Sequence, residues 1–163
     1  MRTLRFCLFS LGRFHFRAAH QTLRRMTTQY WLVKSEPETY GWADLVRDGH
    51  TAWTGVRNYA ARIHLKAMRP GDRVFFYESG GPKSVVGVAE VTRAAFPDQT
   101  ADEPGWVAVE LKALHALPRP VTLDAVKAEP SLAGIALLRL GRLSVQPLER
   151  TAFARIEKMG AAR

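Results

Sequence analysis

Four short stretches of this 163-residue chain combine aromatic residues with side chains able to donate or accept hydrogen bonds. They are Lys34-Ser35-Glu36-Pro37, Trp53-Thr54-Gly55-Val56-Arg57-Asn58, Tyr77-Glu78-Ser79 and Leu143-Ser144. Recognition of a planar heterocycle needs this mixture. An aromatic wall stacks on the π-face, and a few fixed polar groups read the edge. Gly55 would let backbone approach such a ligand closely. Each stretch also has a plainer reading: Trp53 as a core residue, Arg57 as the partner of an acid, Lys34 as a solvated strand end. Catalytic templates are missing. The chain has no G-x-S-x-G elbow, no phosphate-binding P-loop and no H-E-x-x-H. His50, His64 and His115 have no metal-ligand spacing, and the only cysteine is Cys7. Asp44 and Asp48, four apart on a candidate helix, read as a solvated face rather than an acid/base pair. No catalytic residue, metal or cofactor is therefore expected. The residues by themselves point to a small-ligand or nucleobase pocket.

The elements that must hold these stretches follow from periodicity and punctuation. Tyr30 to Lys34 is aromatic and β-branched, hence a strand, and Pro37 breaks it. Tyr40 to Asp48 is a short helix candidate stopped by Gly49, with Trp42, Leu45 and Val46 at helical spacing. A loop carries Trp53-Thr54-Gly55. Asn58 is placed to cap a helix running to about Met68, with Tyr59, Ile63 and Ala67 inward and Arg62 and Lys66 outward. After the Pro70-Gly71-Asp72 turn, Arg73 to Tyr77 is a strongly apolar strand. Ser84 to Val91 is another, with Gly87 marking a bulge or a close backbone approach. Phe96 to Gly105 reads as a loop, and Trp106 to Leu117 as a third long strand. Leu123 to Ala128 is a short helix. Arg142 to Val145 is a last strand ended by Pro147. Leu148 to Met159 is a terminal helix with Phe153 and Ile156 inward. The sum is an α+β domain with a mainly antiparallel sheet, expected to curl into a small barrel.

Composition bounds the classes. Hydrophobic residues make up 47% and charged residues 24%, the balance of an ordinary globular domain. No apolar run approaches the roughly 18 residues of a membrane span, so no membrane partner is expected. The formal net charge of +9 suggests a polyanion. However, residues 1–25 contain six arginines and no acid, leaving 18 basic against 15 acidic residues, +3, from Met26 onward. Three readings compete for this leader: an organelle transit peptide, a secretory signal whose apolar core is cut short by Arg13, and an upstream extension of a gene that starts at Met26. The division is thus 1–25, leader, and 26–163, domain. N-terminal sequencing of the native protein distinguishes the three.

The stretches Tyr30 to Pro37, Trp53 to Arg62, Gly71 to Ser79 and Arg142 to Leu148 together resemble the EVE-domain family, over about residues 29–160 and in the family's order and spacing. The resemblance implies a PUA-like fold, a small mixed or antiparallel β-barrel with flanking helices. It also implies kinship with the YTH domain. It further implies a non-catalytic reader that binds a modified nucleobase, notably modified cytosine in DNA, taken out of the stack into an aromatic pocket. Carried onto this chain, Trp53 would stack on the base, with Val56 in the same motif. Lys34 and Ser35 would contact the base edge or a phosphate, and Asn58 would offer an amide. Arg57 would brace the loop or meet a phosphate. Tyr77 and Ser79 would close the opposite wall, and Leu143 and Ser144 the floor. The expected partner is nucleic acid, modified DNA or RNA, bound by a monomer in the cytoplasm or nucleoid (in an organelle if the leader is a transit peptide). A nuclease or modification enzyme would act beside it. Two alternatives stay open: an RNA-binding PUA-like module, and an enzyme acting on a nucleotide or small heterocycle with Lys34, Ser35 or Glu36 at its centre.

Overall fold

The computed structural model describes residues 27–161. The 1–25 leader lies outside the described residues. Tyr30–Ser35 (β1) and Arg73–Glu78 (β3) run parallel at the heart of one sheet, with Leu32 opposite Phe75 and Val33 opposite Phe76. The buried middle of each strand, Trp31 to Val33 and Val74 to Tyr77, is all apolar or aromatic because both faces are covered. Trp31, Val33, Val74 and Phe76 point into one core, and Leu32, Phe75 and Tyr77 into another. The crossover between them contains two short helices, α1 (Pro37–Tyr40) and α2 (Trp42–Asp48), then a strand, β2 (His50–Trp53), and a third helix, α3 (Tyr59–Ala67). The sequence predicts a loop at His50–Trp53, and the structure has a strand. It is a strand because it finds a partner in Val107–Thr122 (β5), with Trp53 opposite Val109.

Two long strands, β4 (Ser84–Pro97) and β5, form the broad middle of the sheet, and β6 (Val145–Leu148) closes one side. The order is β2-β5-β4-β3-β1-β6, and only the β1–β3 pairing is parallel. The expected barrel is not formed. The two four-residue edge strands, β2 and β6, do not pair with each other. Pro147, expected to end the last strand, sits inside β6 opposite Trp31; an edge strand tolerates its missing N–H. Register shifts along β4 and β5 bend the sheet without closing it, and α3 packs against β4, β5 and β6. Gly87 lies at one such shift. A Cβ there would come within 2.4 Å of the Trp42 indole, so only glycine admits that ring, which meets Phe76 in a T-shaped pair at 5.6 Å.

The phase of α3 differs from the expected one. Tyr59 and Ile63 are exposed, and Ala61, Leu65 and Met68 are the buried stripe. Both triplets have helical spacing, and only the packing of α3 on the sheet selects between them. On the far side, α4 (Leu123–Ala128), a short 3-10 turn, α5 (Ala136–Arg139) and α6 (Arg150–Gly160) cover the second core. Phe153 of α6 stacks on Phe75 at 3.9 Å, facing inward with Ile156 as the periodicity predicts. Among the described residues no helix is long and apolar enough to cross a membrane.

Candidate functional site

Where β1 ends, the chain turns through Pro37 into α1, and this turn faces β2 and the loop that follows it. Between them lies a half-open cavity of about 710 Å³, within the usual range for small-ligand sites. Lys34, Ser35, Glu36, Thr39 and Tyr40 line one side. Thr51 to Asn58 line the other, and Ser144 completes it. Seven of the expected residues therefore meet here: Lys34, Ser35, Trp53, Val56, Arg57, Asn58 and Ser144.

Trp53 is at once core and wall. It is only 7% exposed and meets the Phe76 ring edge-on at 5.5 Å, yet it borders the cavity. The two readings of Trp53 were not exclusive. Tyr40 is the second aromatic of the cavity, and the motif reading missed it. Its hydroxyl donates to Asp48 Oδ2 at 3.0 Å. Burial holds its phenol above the ordinary tyrosine range; a hydrogen bond with Thr51 opposes this and Asp48 adds to it. Tyr40 thus stays neutral. The available signal was its place at the end of the helix that Pro37 starts, five residues beyond the strand end.

Lys34 and Ser35 are held from several directions. Lys34 N–H donates to the Ser144 carbonyl at 2.8 Å, which brings Ser144 to the cavity. Lys34 Nζ donates to the Gly141 carbonyl at 2.9 Å. Burial, and then the charge of Lys83, lowers its pKa. Two of its three ammonium protons remain for other acceptors. Ser35 Oγ donates to the Tyr40 carbonyl at 2.6 Å, and its lone pairs can still accept.

Arg57 pairs with an acid and braces the loop. Its guanidinium donates to Asp98 Oδ2 at 2.7 Å and to Thr100 Oγ1 at 3.1 Å. Asp98 also accepts from Gly55 N at 3.0 Å and from the backbone and hydroxyl of Thr100. Burial by itself would raise the Asp98 pKa; the hydrogen bonds from Arg57, Thr100 and Gly55 outweigh it and hold the carboxyl well below its usual range. This buried carboxylate, at the start of the loop after β4, fixes the Gly55–Arg57 backbone. Gly55 is at φ +76°, with open space where a side chain would begin. Asn58 Oδ1 accepts from Ala61 N at 3.0 Å, the expected helix cap, and its Nδ2 remains available at the rim.

Three expected residues lie elsewhere. Tyr77 points into the opposite core, 3% exposed, because successive residues of a strand alternate faces. Ser79 stands behind the wall: its N–H and Oγ donate to the Ser35 carbonyl at 2.8 and 3.0 Å. Leu143 is buried beneath Trp53 and Val56 and supports the pocket without lining it. Of the acids set aside earlier, Asp44 accepts from Gly41 N and pairs with Arg47 at 2.7 Å. Among the described residues no group of three His, Cys, Asp or Glu is close enough to hold a metal ion.

What these side chains can do together is bind. Two aromatics, a set of hydroxyls and one amide surround a space for a flat, polar-edged ligand; Lys34 borders it at the strand end with its amine 5.9 Å from the Tyr77 ring, and no histidine is among the lining residues. The chain belongs to the EVE-domain family, whose model matches residues 29–159. It is similar to thymocyte nuclear protein 1 of Mus musculus, at 32% identity over 160 residues, covering 77% of this chain and 71% of the relative. A Rhodopseudomonas palustris protein solved by NMR has TM-score 0.78 at 50% identity, covering 82% of this chain and 93% of that one. Human THYN1 protein, solved in complex with 5-methylcytosine containing DNA, has TM-score 0.76 at 28% identity, covering 83% of this chain and 99% of that one.

Proposed function

We propose that this chain is a non-catalytic reader of a modified nucleobase, with modified cytosine in DNA as its ligand class and the Trp53–Tyr40 cavity as its binding site. The carrying observation is that one cavity gathers both aromatics with Lys34, Asn58 and Ser144. Support comes from the related human protein solved with 5-methylcytosine DNA. In this reading Trp53 and Tyr40 form the aromatic wall. Asn58 Nδ2 and the Ser144 hydroxyl read the base edge, and Lys34 meets a carbonyl oxygen or phosphate. Arg57 acts through Asp98 by holding the Gly55 loop in place. Extruding a base costs a few kcal/mol and one aromatic stack returns about 1–3 kcal/mol, so edge contacts must supply the selectivity. The protein acts as a monomer, beside a nuclease or modification enzyme that supplies the consequence of binding.

The test is a titration of the full chain with matched oligonucleotides carrying cytosine or 5-methylcytosine. The modified strand binds tighter, and Ser144→Ala and Trp53→Phe reduce the difference. Equal affinity for the two strands overturns the reading. Phenylalanine is the useful substitute at position 53. Alanine would remove a buried indole, costing about 3–5 kcal/mol of stability, and would confound binding with unfolding.

A further inference from the structure

We propose that an aromatic and cationic face beside the cavity, formed by the exposed Tyr59 and Ile63 and the half-buried Arg62 and Trp106, holds the unstacked bases and phosphates that flank the nucleotide in the pocket. This rests on the pocket reading and extends it from a base to a strand. Tyr59 is 66% exposed and Ile63 65%, one turn apart on α3. The Tyr59 and Trp106 rings are 5.2 Å apart, tilted by 43°. The Arg62 guanidinium stands 4.8 Å from one ring centre and 4.9 Å from the other. Among the described residues Arg62 forms no ion pair; its one side-chain hydrogen bond is a long one to the Gly105 carbonyl at 3.4 Å.

An aromatic pair bridged by an unpaired guanidinium is more than a solvated helix face requires. It suits a polyanion with flat bases, because stacking tolerates any base and the cation serves both ring and phosphate. The face is continuous with the cavity. Arg57, which lines the cavity, stands 5.8 Å from the Trp106 ring, and Tyr59 directly follows Asn58 at the rim. The acids nearest in sequence, Asp102 and Glu103, lie on the Trp106 side, so the phosphates are expected along α3, where Lys66 follows Arg62 by one turn.

The experiment compares the full chain with Tyr59→Ala and Arg62→Ala, using 5-methyl-deoxycytidine monophosphate and short single-stranded DNA and RNA containing the same base. The expected result is a roughly five- to tenfold loss of strand affinity in each variant, with mononucleotide affinity and melting temperature unchanged. Loss with both strands assigns the face to nucleic acid generally, and loss with DNA alone assigns it to DNA. Unchanged strand affinity overturns the proposal. So does an equal loss for mononucleotide and strand, or a change in self-association alone, which would make the face a contact between copies. If modified and unmodified strands bind equally but both variants still weaken them, the pocket reading fails and this one stands.

Discussion

Asp98 shows how a residue outside the cavity decides its shape. Its buried carboxylate accepts four hydrogen bonds, from Gly55, Arg57 and Thr100. Asp98→Asn leaves Arg57 facing an amide, and the expected cost is about 2–3 kcal/mol, read as a fall in melting temperature. The folded state holds the Asp98 pKa below its unfolded value. Its contribution is therefore complete above the ordinary aspartate pKa of about 3.9 and drains away as pH falls below that toward the folded value. The difference in melting temperature between wild type and Asp98→Asn should narrow on acidification below about pH 4; a difference that stays constant would show that charge plays no part. Side-chain type alone flagged Arg57, Asn58 and Trp53 as chemically able. It gave no reason to join Arg57 to an acid 41 residues away.

At the scale of the element, α3 is the instructive case. Its cap was legible because Asn before a helical stretch offers an oxygen to the free N–H groups of the first turn. Its phase was not, because Tyr59-Ile63-Ala67 and Ala61-Leu65-Met68 are both consistent with a helical stripe. Substitutions separate the two faces. Leu65→Ala should cost about 2–5 kcal/mol in chemical denaturation, whereas Ile63→Ser should stay within about 0.5 kcal/mol of wild type. Equal losses would place Ile63 in the core and remove the exposed face. The same limit applies to β2. Four residues cannot announce a strand by pattern; β2 exists through its pairing with β5, which delivers Trp53 to the cavity.

Over the whole molecule, charge and shape divide the work. Residues 26–163 carry +3, and residues 1–25 supply the other six positive charges. Counterion release makes overall affinity for DNA fall with salt, with a slope near −0.9 per phosphate contact on duplex. Selection by a pocket makes the ratio of modified to unmodified affinity nearly independent of salt, because both strands carry the same phosphates. Titrations across ionic strength, with the full chain and with one starting at Met26, should shift affinity and slope while leaving that ratio in place. A ratio that collapses at high salt would mean that charge, rather than the cavity, discriminates.

The sequence by itself determined what depends on neighbours along the chain: the apolar strands β1 and β3, the turns, the Asn58 cap, the inward face of α6, and the motifs that carry the family resemblance. Local backbone preference and side-chain chemistry suffice for these. Only the tertiary structure decided what depends on partners distant in sequence. It left the sheet open rather than closed, turned Tyr77 away from the cavity, moved Ser79 and Leu143 behind its wall, and brought Tyr40 in. In a strand, one residue of register chooses the face, and that choice belongs to the strands on either side.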